Sequence, residues 1–420
     1  MSVLLEKPVI ISDFQRIRSQ TEALCSPLEI EDYQIQPMVD VSPPKWHLAH
    51  VTWFFETFVL SKYSADYQVF NSAYHHLFNS YYNGVGSPYP RESRGHLSRP
   101  TVAEVYEYRK IIDERILDLL ETNSDSELAF RVTLGLHHER QHQELLLTDI
   151  KNNFGNNPLR PPYCEKTDHY VYKALPQKWI EFKGGIAEVG ANCSSSFIFD
   201  NESPRHKVFL APFNFSSHLV TNREFLEFIQ NDGYERHDLW LSDGWAHLKS
   251  LGQDRWKYPL YWFEEENVLF EYTLQGPRRL DLDAPLCHVS AYEADAFARW
   301  KGARLPTEQE WEFAASDLPV SGNFLSSGYF HPTSDGKDNF SGLFGDVWEW
   351  TSSSYSPYPG FSPFEGSLGE YNGKFMSSQL VLRGGSCVSS QDHFRKTYRN
   401  FFYPRDRWQF SGIRLAKDSL

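Results

Sequence analysis

His137-His138-Glu139-Arg140-Gln141-His142-Gln143-Glu144 is the stretch that decides how the first part of this chain folds. In a helix, His138 and His142 stand one turn apart on one face with Gln141 between them, and Leu145, Leu146 and Leu147 carry the helix onward. Two imidazoles so placed suit a metal ion. The string also satisfies H-E-x-x-H, in which two zinc ligands flank a glutamate that activates water. The continuation, Gln143-Glu144-Leu145-Leu146-Leu147-Thr148-Asp149, lacks the Gly and third His of the longer zincin pattern. Three readings stand: a zinc hydrolase, another metal chemistry, and a His-rich helix whose imidazoles hydrogen-bond within a core. The pattern and its context favour the second.

A third ligand is available upstream, in Ser42-Pro43-Pro44-Lys45-Trp46-His47-Leu48-Ala49-His50. Ser42 suits an N-cap and Pro43 a first helical position, which predicts a helix over residues 43–60. His47 and His50 share a face that Trp53, Phe54 and Thr57 extend, so either histidine completes a three-histidine site.

Working outward, helical periodicity covers residues 13–23, 43–60, a segment from Pro100, and residues 126–151. Thr101 and Glu104 form a capping box, after which Val105, Ile111, Ile112, Ile116, Leu119 and Leu120 recur at near-helical spacing. These four helices predict a bundle over residues 1–155. The connection over residues 61–97 is long for a bundle and carries Tyr81-Tyr82 and Arg91-x-x-Arg94, which suit a functional loop as well as ordinary packing. Asn152-Asn153-Phe154-Gly155-Asn156-Asn157-Pro158 and Pro161-Pro162 break the pattern, and residues 156–176 read as a linker. Residues 177–420 are of another kind, dense in Gly, Trp, Phe and Ser. Strand-like runs such as Trp179-Ile180-Glu181-Phe182 and Val381-Leu382 alternate there with turns, and helical patterns cover residues 222–230 and 291–300.

Composition excludes some functions. The 420 residues hold 41 Lys plus Arg against 55 Asp plus Glu, and a net charge of −14 argues against nucleic acid and anionic membrane surfaces as partners. The expected partner is a small molecule. Cys25, Cys164, Cys193, Cys287 and Cys387 are odd in number and widely spaced, so they read as reduced, mostly buried thiols. The start, Met1-Ser2-Val3-Leu4-Leu5-Glu6-Lys7, has no basic leader, and no run approaches about 18 apolar residues. A soluble, cytoplasmic protein is expected.

The second half carries four further motifs: Gly302-Ala303-Arg304-Leu305-Pro306-Thr307-Glu308-Gln309-Glu310-Trp311-Glu312-Phe313-Ala314-Ala315, Gly345-Asp346-Val347-Trp348-Glu349-Trp350-Thr351, Leu382-Arg383-Gly384-Gly385-Ser386, and Arg407-Trp408-Gln409-Phe410-Ser411-Gly412-Ile413-Arg414-Leu415-Ala416. They resemble the domain of formylglycine-generating enzymes over residues 177–418. The first half, with His50, His138 and His142, resembles the DinB-like metal-binding bundle, and the two in this order look like the ergothioneine-biosynthesis sulfoxide synthases. The resemblance implies a two-domain α+β protein: a DinB-like four-helix bundle, then a mixed, C-type-lectin-like domain with little regular structure. It implies a non-haem iron(II) enzyme that uses dioxygen as co-substrate to join the sulfur of cysteine, or of gamma-glutamylcysteine, to C2 of the hercynine imidazole as a sulfoxide.

Residue by residue, the resemblance makes His50, His138 and His142 the ligands and leaves His47 beside them, with Glu139 at most structural. Tyr81-Tyr82 matches paired active-site tyrosines of the cysteine-using branch, and Arg91 and Arg94 match arginines that hold the cysteine carboxylate. Gln141 matches a glutamine that orients hercynine. Asn400, Phe401 and Phe402 match a loop that binds the trimethylammonium group, with the site between the domains. The gamma-glutamylcysteine branch takes its active-site tyrosine from the C-terminal domain. Selenium-inserting and ovothiol-type synthases share the layout and stand as alternatives, as does a zinc-dependent DinB-like thiol transferase or hydrolase; the usual ovothiol methyltransferase extension is not seen. Cys387 has no obvious partner cysteine, so the copper-dependent oxidation of protein cysteine is not expected.

Overall fold

The computed structural model describes residues 7–64, 66–165, 176–192, 197–333 and 340–419. They divide into two compact units. The first takes the chain up to Tyr163 together with Asn192–Asp200 and Ser362–Lys374; the second takes Cys164–Ala191, Asn201–Phe361 and Phe375–Leu420. Two short segments from the later sequence thus fold with the helices. Residues 166–175 of the expected linker lie outside the described residues.

The first unit contains α1 (Lys7–Cys25), α2 (Pro44–Phe55), the short α3 (Ser61–Tyr63) and α4 (Tyr74–Leu77), α5 (Val102–Thr122) and α6 (Ser126–Gly155). Helix α1 packs on α6, and α2 on α5 and α6, giving the four-helix bundle. Every residue of α2 is buried, which places that helix at the centre. Pro43 rather than Ser42 is its N-cap residue, and the Ser42 hydroxyl instead accepts a 2.8 Å hydrogen bond from Arg94. A π-helical turn over Glu56–Leu60 continues α2. At the start of α5, Thr101 and Glu104 form the expected capping box. Helix α6 runs past Asn152 to Gly155, because Asn152, Asn153 and Phe154 are buried and packing outweighs their weak helix propensity.

Arg18 ties the bundle together. Its guanidinium donates to Asp113 of α5 at 2.7 Å, to Glu139 of α6 at 2.9 Å and to Thr52 of α2 at 3.0 Å. Glu139, fully buried, also receives Arg109 of α5 at 2.6 Å and the Thr21 hydroxyl of α1 at 2.6 Å.

The second unit is built of short sheets. Trp179–Phe182 pairs antiparallel with Phe213–Ser216, and Leu380–Arg383 lies between Asn400–Phe402 and Trp348–Ser354 in a four-stranded sheet that Ser411–Gly412 completes. Helices Asn222–Gln230 and Ala291–Trp300 begin at Thr221 and Ser290, each with a capping box. The motif residues form a buried polar core: Arg383 bonds Glu312 at 2.6 Å, Arg399 bonds Glu308 at 2.8 Å, and Glu349 receives Arg414 at 2.9 Å and the Trp311 indole at 2.8 Å. Gly345 has φ +77, and a Cβ there would sit 2.1 Å from the Asn323 carbonyl, so the Gly-Asp-Val-Trp turn needs its glycine.

Cys25, Cys164, Cys287 and Cys387 are free thiols, and Cys193 lies outside the described residues. Among the described residues no helix is long and apolar enough to cross a membrane.

Burial alone would raise the Glu139 carboxyl, but Arg109 and Arg18 outweigh it and hold it at about 2. An unfolded glutamate titrates near about 4.3. The pair therefore stabilises the fold above that value, and the contribution is lost as pH falls from about 5 towards about 2. Glu139→Ala, which removes the buried anion that Arg18 and Arg109 share and leaves them only the more exposed Asp113 and Glu22, is expected to cost about 3–5 kcal/mol in denaturant unfolding and to flatten this acid limb.

Candidate metal centre

The rotation of α6 decides the centre. Successive helical residues point about 100° apart, so with Glu139 turned towards Arg18 of α1 and Arg109 of α5, His138 and His142 turn towards α2. There they meet His50. One ring nitrogen from each of the three lies within 4.8 Å of the others, and His50 Nε2 is 3.2 Å from His138 Nε2. His50 Nδ1 is 2.6 Å from the Phe78 carbonyl, to which it donates, leaving Nε2 as its free lone pair. Burial lowers the pKa of all three rings: His138 to about 3, despite the opposing pull of Glu139, and His50 and His142 well below the ordinary value, with neighbouring rings adding repulsion. Neutral imidazole is the ligating form. Three convergent neutral nitrogens fit a divalent transition metal, for which iron, zinc, copper and nickel are the candidates.

Aromatic rings wall the centre. Trp46 and Trp53 stack on His50 at centroid distances of 4.6 and 5.6 Å, and Phe54 lies 4.5 Å from His138. The Arg94 guanidinium sits 3.4 Å over the Trp46 ring. Burial and the neighbouring Arg91 disfavour the charge of Arg94, while Asp149 supports it. Its turn, Arg91–His96, is held by Gln34 on the Gly95 carbonyl at 2.7 Å and Gln36 on the Arg91 carbonyl at 2.8 Å. Arg91 itself is exposed, with a 3.4 Å contact to the Asp40 carbonyl.

Tyr82 is fully buried and packs on Phe58 at 4.9 Å and Trp53 at 5.7 Å, while the Tyr81 ring stacks on it at 4.6 Å. Asn79 shapes this turn by accepting from the Tyr82 amide at 2.9 Å and donating to its carbonyl at 3.0 Å. Burial pushes the Tyr81 phenol up to about 12 and raises Tyr82 as well, so both are proton-bearing donors at neutral pH.

Residues 362–374 add what the sequence reading missed. The Tyr371 hydroxyl donates to Gln141 Oε1, its ring meets His138 edge-on at 5.6 Å, and Phe199 stacks on its other side at 5.3 Å. Glu370 accepts from the Asn83 and Gly84 amides at 3.0 and 2.7 Å, and Lys374 binds both Glu370 and the Tyr81 carbonyl. This segment therefore clamps the tyrosine turn. Asp149 was also missed, although its place seven residues after His142 on one helical face was a signal. Asn400, Phe401 and Phe402 belong to the second unit, where Phe401 stacks on Tyr355 at 4.0 Å and Phe402 meets Trp408 edge-on at 5.6 Å.

A family model for the sulfatase-modifying factor enzyme 1-like domain matches residues 172–341 and 326–419, more than half of the chain. The chain belongs to that family. A model of the DinB superfamily matches residues 13–147, the part of this sulfatase-modifying-factor-like protein that carries all three histidines. The chain is 29% identical to a hercynine oxygenase of Mycolicibacterium smegmatis, over 93% of its own length and 95% of that protein. It is 29% identical to a hercynine oxygenase of Mycobacterium tuberculosis over 78% and 81%, respectively. It is 30% identical to the inactive C-alpha-formylglycine-generating enzyme 2 of Mus musculus over 46% of this chain and 69% of that one.

The centre makes a direct prediction. In metal titrations of the full chain, His50→Ala, His138→Ala or His142→Ala is expected to remove tight binding of one divalent transition-metal ion per chain while the near-ultraviolet circular dichroism of the aromatic-rich second unit is retained. Wild-type affinity in any of the three would contradict the ligand assignment.

Proposed function

We propose that this chain is an iron(II)- and dioxygen-dependent sulfoxide synthase that joins cysteine to hercynine. One observation carries the reading: the three-imidazole centre occurs in a chain alike over 93% of its length to a hercynine oxygenase. The C2–H bond of the hercynine imidazole and the cysteine S–H bond break and a C–S bond forms. One oxygen atom of dioxygen ends on sulfur and the other leaves as water. Iron, when bound, supplies the electron transfers to dioxygen that zinc cannot. The H-E-x-x-H hydrolytic alternative has little support, because Glu139 points away from the three histidines into a double ion pair.

Each candidate site residue has a distinct task in this reading. Arg91 and Arg94 hold the carboxylate of the sulfur donor, Arg94 with a buried Nε that has no hydrogen-bond partner among the described residues. Gln141, braced by Tyr371, orients the hercynine imidazole. Tyr81 and Tyr82 hold protons that are deliverable as oxygen is reduced. Trp46, Trp53, Phe54 and Phe58 keep water out. Asn400, Phe401 and Phe402 bind the trimethylammonium group, the aromatic faces through cation–π attraction. The free thiols agree with the reducing cytoplasm as its setting.

A second reading keeps the reaction but takes gamma-glutamylcysteine as donor. Tyr371 favours it, since it is a tyrosine from the later sequence lying against His138 and Gln141.

The test is anaerobic reconstitution with iron(II), then oxygen uptake and product mass with hercynine plus either thiol. A sulfoxide adduct with cysteine is expected. Preference for the glutamyl peptide would establish the second reading, and no oxygen uptake with either would overturn both. Arg91→Leu is expected to raise KM for cysteine about 10- to 100-fold, the loss of one charge-assisted hydrogen bond, with KM for hercynine little changed. Equal losses for both substrates would contradict the carboxylate role.

A further inference from the structure

The three histidines differ in what holds their other nitrogen. His50 Nδ1 meets a neutral carbonyl, that of Phe78, at 2.6 Å. His138 Nδ1 is buried with no hydrogen-bond partner among the described residues. His142 Nδ1 is 2.9 Å from His47 Nδ1, and His47 Nε2 is 2.9 Å from Asp149 Oδ2. The backbone amide of Ser42 also donates to Asp149 Oδ2, at 2.8 Å. His47 and Asp149 are almost completely buried, so water does not compete for these bonds.

We propose that Asp149 and His47 are positioning residues that act as a handle on His142, fixing its tautomer and ring plane so that Nε2 faces the metal. The direction of the protons follows from the anion at the far end. A carboxylate only accepts, so His47 carries its N–H on Nε2 and offers the Nδ1 lone pair. His142 must then carry its proton on Nδ1, and its Nε2 lone pair is left for the ion. A ligand whose N–H is drawn towards a carboxylate is the more basic donor. His142 is thus the strongest donor of the three, and His138 the least constrained. The handle also joins the two helices of the site, because His47 lies on α2 and both His142 and Asp149 lie on α6. It rests on the metal-centre reading above, but not on the identity of the substrates.

The experiment measures cobalt(II) and iron(II) affinity of the full-length chain by chelator competition under anaerobic conditions, together with the visible spectrum of the cobalt form. Unfolding of the metal-free protein is followed in parallel. His47→Phe, which removes the acceptor, and Asp149→Ala, which removes the anion, are each expected to weaken binding about 10- to 100-fold and to shift the cobalt bands. In His47→Gln an amide oxygen accepts from His142 Nδ1, and this variant is expected to regain most of the affinity. Asp149→Asn retains an accepting oxygen without the charge and is expected to fall between wild type and Asp149→Ala. Wild-type affinity and an unchanged cobalt spectrum in folded His47→Phe would overturn the handle while leaving the centre intact. Failure of the wild-type chain to bind either ion would overturn the centre and the handle together. Because the readout is binding, loss of the hercynine reaction alone bears on neither.

Discussion

The guanidinium of Arg18 is the contact on which the first unit depends. A single side chain on α1 reaches α5, α6 and α2 through three hydrogen bonds, and no arrangement of the four helices that rotates one of them keeps all three. Apolar packing tolerates small rotations, since one leucine substitutes for another across a core with modest cost. A buried charge does not, because displacing it strands an ion in a medium that cannot solvate it. Glu139 is next in sequence to His138. The ion pairs that fix Glu139 between α1 and α5 therefore fix, one residue back, the direction in which the first histidine of α6 faces.

The second unit uses the same physics for a different end. Trp311, Glu349, Arg383 and Arg414 are the residues by which the later sequence resembles formylglycine-generating enzymes, and all four are buried in ion pairs and hydrogen bonds with one another or with their neighbours. With such short strands, the sheets supply little order by themselves. Directional charge pairs take over that task, which explains why a signature so specific in sequence marks a fold and not a reaction.

What the sequence disclosed followed from local physics. Helical spacing and the capping box at Thr101 depend on residues three or four apart, and they placed the bundle helices and two helices of the second unit, Asn222–Gln230 and Ala291–Trp300, well. His138 and His142 were also within reach, since they share one helical face, whereas local pattern left His47 and His50 equal as the third member and only the family resemblance pointed to His50. The rest required contacts between residues far apart in the chain. Nothing periodic marks residues 362–374, yet Glu370, Tyr371 and Lys374 hold Asn83, Gly84, Gln141 and Tyr81, some 230 or more positions away. The N-cap of α2 was misread for a related reason: Ser42 is a good cap in isolation, but its hydroxyl is engaged by Arg94 fifty-two residues on.

Charge balance around the centre gives the proposed reaction its strongest physical setting. The three imidazoles bring no charge, the carboxylate of Glu139 is matched by Arg18 and Arg109, and that of Glu370 by Lys374. Asp149 supports the charge of the buried Arg94, as does Glu92, and is itself hydrogen-bonded to His47. In the proposed reaction a divalent ion held by three neutral imidazoles would add positive charge beside Arg94, and such a site would attract anions. Under that proposal a thiol donor that binds as a thiolate and also bears a carboxylate would supply two negative charges, one for the metal and one for the arginines. Hercynine, whose trimethylammonium is positive, would gain nothing from that charge and would need aromatic faces instead. The two proposed substrates thus place opposite electrostatic demands on the residues that bind them.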